Sequence, residues 1–177
     1  MVNLKRILFA TDFSTCATRA KETAHELCAQ FGAQLHVLHV IHDLAVEVPE
    51  FGMGLAFPGF VENIGAKRKE LKQAALESLN AEVAASLREQ HEIVLDTRFG
   101  KPFSEVIRYA HDNDIDLIVI GSHGRTGLEH VLLGSVAESV VRNSPCPVLT
   151  VRTPAIKREE QETQTFPGGI HPLPVGL

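Results

Sequence analysis

The sequence predicts a doubly wound α/β sandwich: a single five-stranded parallel sheet, Rossmann-like, with strand order 3-2-1-4-5 and helices on both faces. Three observations carry this. Strand-like and helix-like stretches alternate along the chain. The strand-like stretches are apolar runs (KRILFAT at 5–11, LIVI at 117–120) rather than alternating patterns, as expected of a parallel sheet covered on both sides. A glycine-bearing stretch, GSHGRTGLEHVLLGSV at 121–136, joins the fourth strand to the last helix. Right-handed crossovers then place helices on both faces.

Residues 5–11 read as strand 1, and Asp12-Phe13-Ser14 supplies turn and N-cap chemistry. From about Thr15 to Phe31, the positions Ala17, Ala20, Ala24, Leu27, Cys28 and Phe31 trace one helical face. Gly32 follows, where a C-terminal cap favours positive φ. Residues 34–41 (QLHVLHVI) read as strand 2. The stretch 42–62 reads as a long loop, with Pro49, Gly52, Gly54, Pro58 and Gly59 between Phe51, Phe57 and Phe60.

A long helix is expected from Ile64 to about Gln90, with Leu71, Ala75, Leu79, Val83 and Leu87 as its stripe and Ala74 and Ser78 beside it. Lys67-Arg68-Lys69 reads as a solvated face. Strand 3 is expected over 92–98, followed by a turn at Gly100 and a helix opened by Pro102, with Phe103, Val106, Ile107 and Ala110 inward. Strand 4 is expected over 115–120, a helix over 135–143, and strand 5 over 148–152 after Pro145-Cys146-Pro147. Residues 153–177 contain little that forms a core and read as an extended Pro/Gly-containing tail, leaving 1–152 as the domain.

A chain of 177 residues with 44% apolar and 22% charged residues buries a core without disulfides or metal. A net charge of −5 argues against nucleic acid or an anionic membrane as the main partner. No apolar run is long enough for a leader or a span. Cys16, Cys28 and Cys146 form no CxxC pair or zinc spacing, and read as reduced thiols in a cytoplasmic protein. His36, His39 and His42 cannot all share one strand face, so they make no joint metal site.

In this fold ligands bind beyond the carboxyl ends of the strands where the order reverses. Thr11-Asp12 after strand 1 and Gly121–Gly124 after strand 4 converge there. Asp12 has two readings: acceptor for a ribose hydroxyl or adenine amino group, or cap of the first helix. Gly121 and Gly124 either admit close backbone approach by a ligand or form a turn. Gly134 and Ser135 open a helix whose N–H groups suit a phosphate, Ser135 serving as ligand, N-cap or both. His123 and Arg125 offset phosphate charge or are solvated. There is no GxxxxGK[ST] and no GxGxxG, so neither a P-loop enzyme nor a dinucleotide fold is indicated. No GxSxG turn accompanies a Ser-His-Asp set.

The frame Gly121-x-x-Gly124-(nine residues)-Gly134-Ser135 resembles the nucleotide-binding signature of the universal stress protein family, in its ATP-binding branch. Lys5–Ser14, Leu38-His39-Val40, Gly100-x-Pro102, Asp116–Val119 and Pro145–Leu149 are similar to its other landmarks, over about residues 3–152. The resemblance implies an ATP site. Asp12, beside Ala10 and Thr11, would contact adenosine, and Val40 would hold adenine through its main chain. Ile120 and Gly121 would line the nucleoside pocket, and Gly124, Gly134, Ser135 and Val136 would cradle ribose and phosphates. Magnesium would enter through the ATP phosphates. Ala10 stands where ATP-binding members often carry proline.

The resemblance also implies a homodimer through the edge strand Val148–Arg152. The expected function is a nucleotide-dependent regulator or sensor in stress response, acting through an unnamed protein partner. No general base is evident. The alternatives are slow ATP hydrolysis or self-phosphorylation at Ser135, a nucleotide-free dimeric scaffold, and binding of AMP or cyclic AMP.

Overall fold

The computed structural model describes residues 3–42, 58–83, 92–123 and 133–152, with side chains of the long helix described from Gly65 onward. Five strands are present among them: β1 (Arg6–Thr11), β2 (Gln34–Ile41), β3 (Ile93–Phe99), β4 (Leu117–Gly121) and β5 (Val148–Val151). Every pairing is parallel and the order is β3-β2-β1-β4-β5, as expected. The helices are α1 (Thr15–Phe31), α2 (Pro58–Glu82), α3 (Pro102–Asp112) and α4 (Ser135–Asn143).

The period of two along β1 and β2 divides the core. Ile7, Phe9, Leu35 and Val37 face α1 and α2, where Ala17, Ala20, Ala24, Cys28, Leu79 and Val83 meet them. Leu8, Leu38, Ile118 and Ile120 face α3 and α4, against Val106, Tyr109, Ala110, Ala137 and Val140. Each fully buried Leu, Ile, Val or Phe contributes about 1.5–3 kcal/mol. The alanines of α1 let that helix approach the sheet closely. Gly32 ends α1 at φ 63°, the left-handed cap its position predicted.

Some expectations moved. α2 begins at Pro58, six residues before Ile64, because proline suits a first helical turn as well as it suits a loop. The predicted stripe holds only at Ala75, Leu79 and Val83; Leu71 is 41% exposed, and Ala74 and Ser78 are also exposed. A 25-residue helix spans about 37 Å, whereas strands of six to eight residues span about 20–27 Å. The helix therefore outruns the sheet, and every described residue from Gly65 to Ala74 is exposed. Leu87 and the remainder of the expected helix lie outside the described residues. Phe31 and Phe103 are exposed rather than inward. Both occupy terminal turns, where a helical stripe meets the rim of the core.

β3 starts one residue later than expected and β4 starts at Leu117 rather than Ile115. Asp116 is used otherwise: its Oδ2 accepts from Lys5 N (2.6 Å) and Arg6 N (2.9 Å), which ties the start of β1 to β4. The Lys67–Lys69 run is exposed, with Lys67 paired to Glu70 at 2.9 Å and Arg68 over the Phe99 ring at 5.3 Å. The three cysteines carry no disulfide.

One buried polar network links β2 to α3. His36 Nδ1 lies 2.8 Å from Tyr109 Oη, and Nε2 lies 2.9 Å from Gln34 Oε1. Gln34 Oε1 only accepts, so Nε2 carries the proton and Tyr109 donates to Nδ1. Burial, then the Arg6 charge, lowers the His36 pKa, with Glu92 opposing. Burial pushes the Tyr109 hydroxyl up to about 12. Because the folded pKa of His36 lies below its ordinary value of 6.5, the unfolded chain takes the proton first. Stability from this group is thus intact above about pH 6.5. It is lost as pH falls below that value, with a slope of at most about 1.4 kcal/mol per pH unit, until the folded form also protonates. Urea unfolding between pH 7.5 and 5, with the His36 ring titration followed by NMR, measures it; a ring that titrates at or above 6.5 contradicts the assignment.

Candidate functional site

The carboxyl ends of β1, β2 and β4 open on one side of the sheet, at the point where its order reverses. β1 ends at Thr11, and Thr11 Oγ1 accepts from Phe13 N at 3.0 Å. Asp12 Oδ1 accepts from Ser14 N at 3.0 Å. These two side chains shape a tight turn in which Phe13 has φ 62°, a conformation strained for a residue with a Cβ. Asp12 thus shapes the entry to α1 by bonding the N-cap residue itself, not by capping the helix. Ser14 occupies the N-cap position but makes no side-chain cap bond.

The turn alters the end of the β1–β2 ladder. Gln34 N donates to Lys5 O and Leu35 N to Glu92 O, so the even-numbered residues of β2 direct their backbone groups toward β1. Val40 therefore points its N–H and C=O to the β1 side, one step beyond the Thr11–His39 register pair. The next donor in that ladder is Phe13 N–H, which goes to Thr11 Oγ1 instead. Among the described residues, the Val40 carbonyl therefore has no β1 ladder donor. His39 closes the adjacent wall on the α1 side, with Nδ1 at 2.9 Å from Thr11 O and its ring 4.3 Å from that of Phe13.

Across the crevice, Ile120 and Gly121 end β4. A Cβ on Gly121 would lie 3.2 Å from Cys16 O and 3.3 Å from His123 O. The close approach that Gly121 permits is thus by the first turn of α1. Ser122 is buried, donates its N–H to Val151 O (2.8 Å) and accepts Gly134 N–H (2.8 Å). Ser122 thereby brings the start of α4 beside the end of β4. Ser122 Oγ is 3.0 Å from His123 Nδ1, which ties that ring nitrogen to the neighbouring side chain. α4 begins at Ser135 with Gly134 as N-cap, and no side chain caps it. Ser135 is the first helical residue rather than the cap. Its N–H and those of Val136 and Ala137 are the orphan donors of a helix start.

The described residues bring Ala10, Thr11, Asp12, Val40, Ile120, Gly121, His123, Gly134, Ser135 and Val136 to one end of the sheet. Gly124 and Arg125 lie outside the described residues. Sequence reasoning missed three contributors: Ser122, Lys21 and Glu82. Glu82 Oε2 accepts from Thr11 Oγ1 at 3.4 Å, and Lys21 Nζ lies 3.9 Å from Glu82 Oε1. Burial raises the Glu82 pKa, the Lys21 charge and the Thr11 hydrogen bond oppose this, and the Asp12 charge adds to it. Glu82 lies three residues beyond Leu79 and directly before Val83, beside the apolar stripe, and that placement was the available signal for it. No cluster of three or more metal-ligating side chains occurs among the described residues. Among them no helix is long and apolar enough to cross a membrane.

Comparison with known proteins agrees with this architecture. Universal stress protein MJ0531 of Methanocaldococcus jannaschii is 36% identical over 152 residues, covering 85% of this chain and 83% of its own. The structure of MJ0577 from the same organism superposes with TM-score 0.67 at 30% identity, covering 86% of this chain and 98% of its own. A universal stress protein crystallised in complex with cAMP shares the fold at TM-score 0.58 and 23% identity, over 86% of this chain and 99% of its own. Residues 3–152 match the universal stress protein family, and the chain belongs to it.

Proposed function

We propose that this protein binds an adenosine nucleotide, ATP in first place, in the crevice between the ends of β1 and β4, and acts as a nucleotide-dependent regulator in stress response. The observation that carries this reading is the Val40 carbonyl, an acceptor with no described β1 ladder donor, beside a carboxylate at Asp12. A purine amino group is a matching donor for such a carbonyl, and ribose hydroxyls match Asp12. The start of α4, at Gly134, Ser135 and Val136, suits the phosphates. Magnesium would be held through those phosphates.

The reading is of binding rather than turnover, in a cytoplasmic homodimer. Among the described residues β5 pairs on one side only, with β4, and Leu149 on it and Val141 on α4 are 37% and 46% exposed. An edge strand of this kind, continued to Arg152, favours pairing with a second copy. The domain 1–152 is taken as the binding unit and 153–177 as a tail outside it.

Mass spectrometry of small molecules released from purified protein, with thermal shift against ATP-Mg, AMP and cyclic AMP, tests the reading. ATP recovered from the protein and a raised midpoint with ATP-Mg are expected; no nucleotide and no shift with any of the three would sink it. Incubation with γ-labelled ATP separates binding from hydrolysis or transfer to Ser135.

A further inference from the structure

Glu82 is the last residue of α2 and is enclosed where α2, α1 and β1 meet, its side chain 13% exposed. Its backbone oxygen accepts from Lys21 Nζ at 3.4 Å, and its carboxylate lies 3.9 Å from the same ammonium. Lys21 belongs to α1, so the end of α2 is clamped to α1 through both its main chain and its side chain. Among the described residues, the other hydrogen bond of Glu82 is to the Thr11 hydroxyl.

A hydroxyl has one proton and rotates freely, so what it accepts depends on where its proton points. With its proton directed at Glu82, the Thr11 hydroxyl turns its lone pairs elsewhere, and one of them accepts Phe13 N–H. That N–H has one acceptor in the turn and, were the β1–β2 register continued, would have another. One is Thr11 Oγ1, which holds Phe13 at its strained φ of 62°. The other is Val40 C=O, the next step of the β1–β2 ladder. The two pairings are mutually exclusive, and only the first leaves the carbonyl open to a ligand.

We propose that Glu82 is a positioning residue for the nucleotide site: through Thr11 Oγ1 it holds Phe13 N–H away from Val40 C=O and so keeps that carbonyl available to the purine. This rests on the adenosine-nucleotide reading above. It also ties α2 to the ligand turn at a single side-chain contact, so loss of that contact uncouples the helix from the crevice.

Calorimetric titration of ATP-Mg into wild type, Glu82→Ala, Glu82→Gln, Thr11→Val, Thr11→Ser and the double variant E82A/T11V tests it. Glu82→Ala and Thr11→Val should each weaken binding about fivefold or more, the size of one hydrogen bond. Glu82→Gln and Thr11→Ser keep the acceptor and the hydroxyl, and should remain within about twofold of wild type, below the effect of one such bond. The double variant should bind no more weakly than the weaker single, because both remove one relay. Wild-type affinity in Glu82→Ala, equal losses in Glu82→Ala and Glu82→Gln, or additive losses in the double variant would each overturn the proposal. If Glu82→Ala does not fold, the Thr11 pair decides, and Thr11→Val binding as tightly as Thr11→Ser overturns it. A wild-type chain that binds no adenosine nucleotide overturns the underlying reading and this one with it; wild-type binding with unchanged Glu82→Ala overturns this one alone.

Discussion

Gly121→Val is expected to destabilise the fold by about 2–3 kcal/mol, the upper range for forcing methyl groups into a packed site. Even the first added carbon would lie 3.2 Å from Cys16 O and 3.3 Å from His123 O. Both are main-chain atoms, so neither yields as the end of a flexible side chain would. The cost is steric and not conformational, because Gly121 is an ordinary strand residue with no positive φ. Relief requires moving the first turn of α1 away from β4, which also shifts the Asp12 turn. Urea denaturation should show a lowered midpoint with an unchanged slope. Gly121→Ala should show the same direction with a smaller loss. A Gly121→Val protein as stable as wild type would mean that α1 moves without cost, and that its close approach to Gly121 contributes nothing to the fold.

Asp12→Ala is expected to weaken adenosine-nucleotide binding by about 10- to 100-fold, the range for a hydrogen bond to a charged group. The substitution removes two things at once. One is the acceptor proposed for the ligand, and the other is the Oδ1 bond to Ser14 N that shapes the turn. Asp12→Asn separates them, since an amide oxygen still accepts from Ser14 N while the negative charge is lost. Binding that falls in Asp12→Asn nearly as far as in Asp12→Ala assigns the effect to the carboxylate facing the ligand. Full binding in Asp12→Asn would reduce Asp12 to a turn former. Affinity should be measured on protein whose fold is verified by circular dichroism.

Much of this molecule was legible before its structure. Apolar runs such as Ile7–Ala10 and Ile118–Ile120 are buried on both faces, so their character alone signals central parallel strands. Gly32 and Pro102 mark a helix end and a helix start through their own backbone preferences, which need no tertiary context. The convergence of Thr11-Asp12 with the stretch that begins at Gly121 followed from the rule that ligands sit where strand order reverses. That rule requires only the order of the strands.

Tertiary structure decided what local pattern does not encode. The length over which α2 touches the sheet depends on how far the strands extend beneath it, so Leu71 fits the stripe and is still exposed. The residue type at Gly121 signals a close approach, and the packed chain adds that Cys16 O, from another element, is one group that makes it. The Thr11–Glu82 contact joins residues 71 apart in the chain, and no periodicity links them. That no described β1 donor reaches the Val40 carbonyl is a property of neither Val40 nor its strand, because it arises from where Phe13 sends its N–H. Burial and backbone preference are written residue by residue, so the sequence determined the sheet, its order and the end that carries the crevice. Hydrogen-bond competition between distant groups exists only once the chain is packed, and that competition sets which atoms of the crevice are left to meet a ligand.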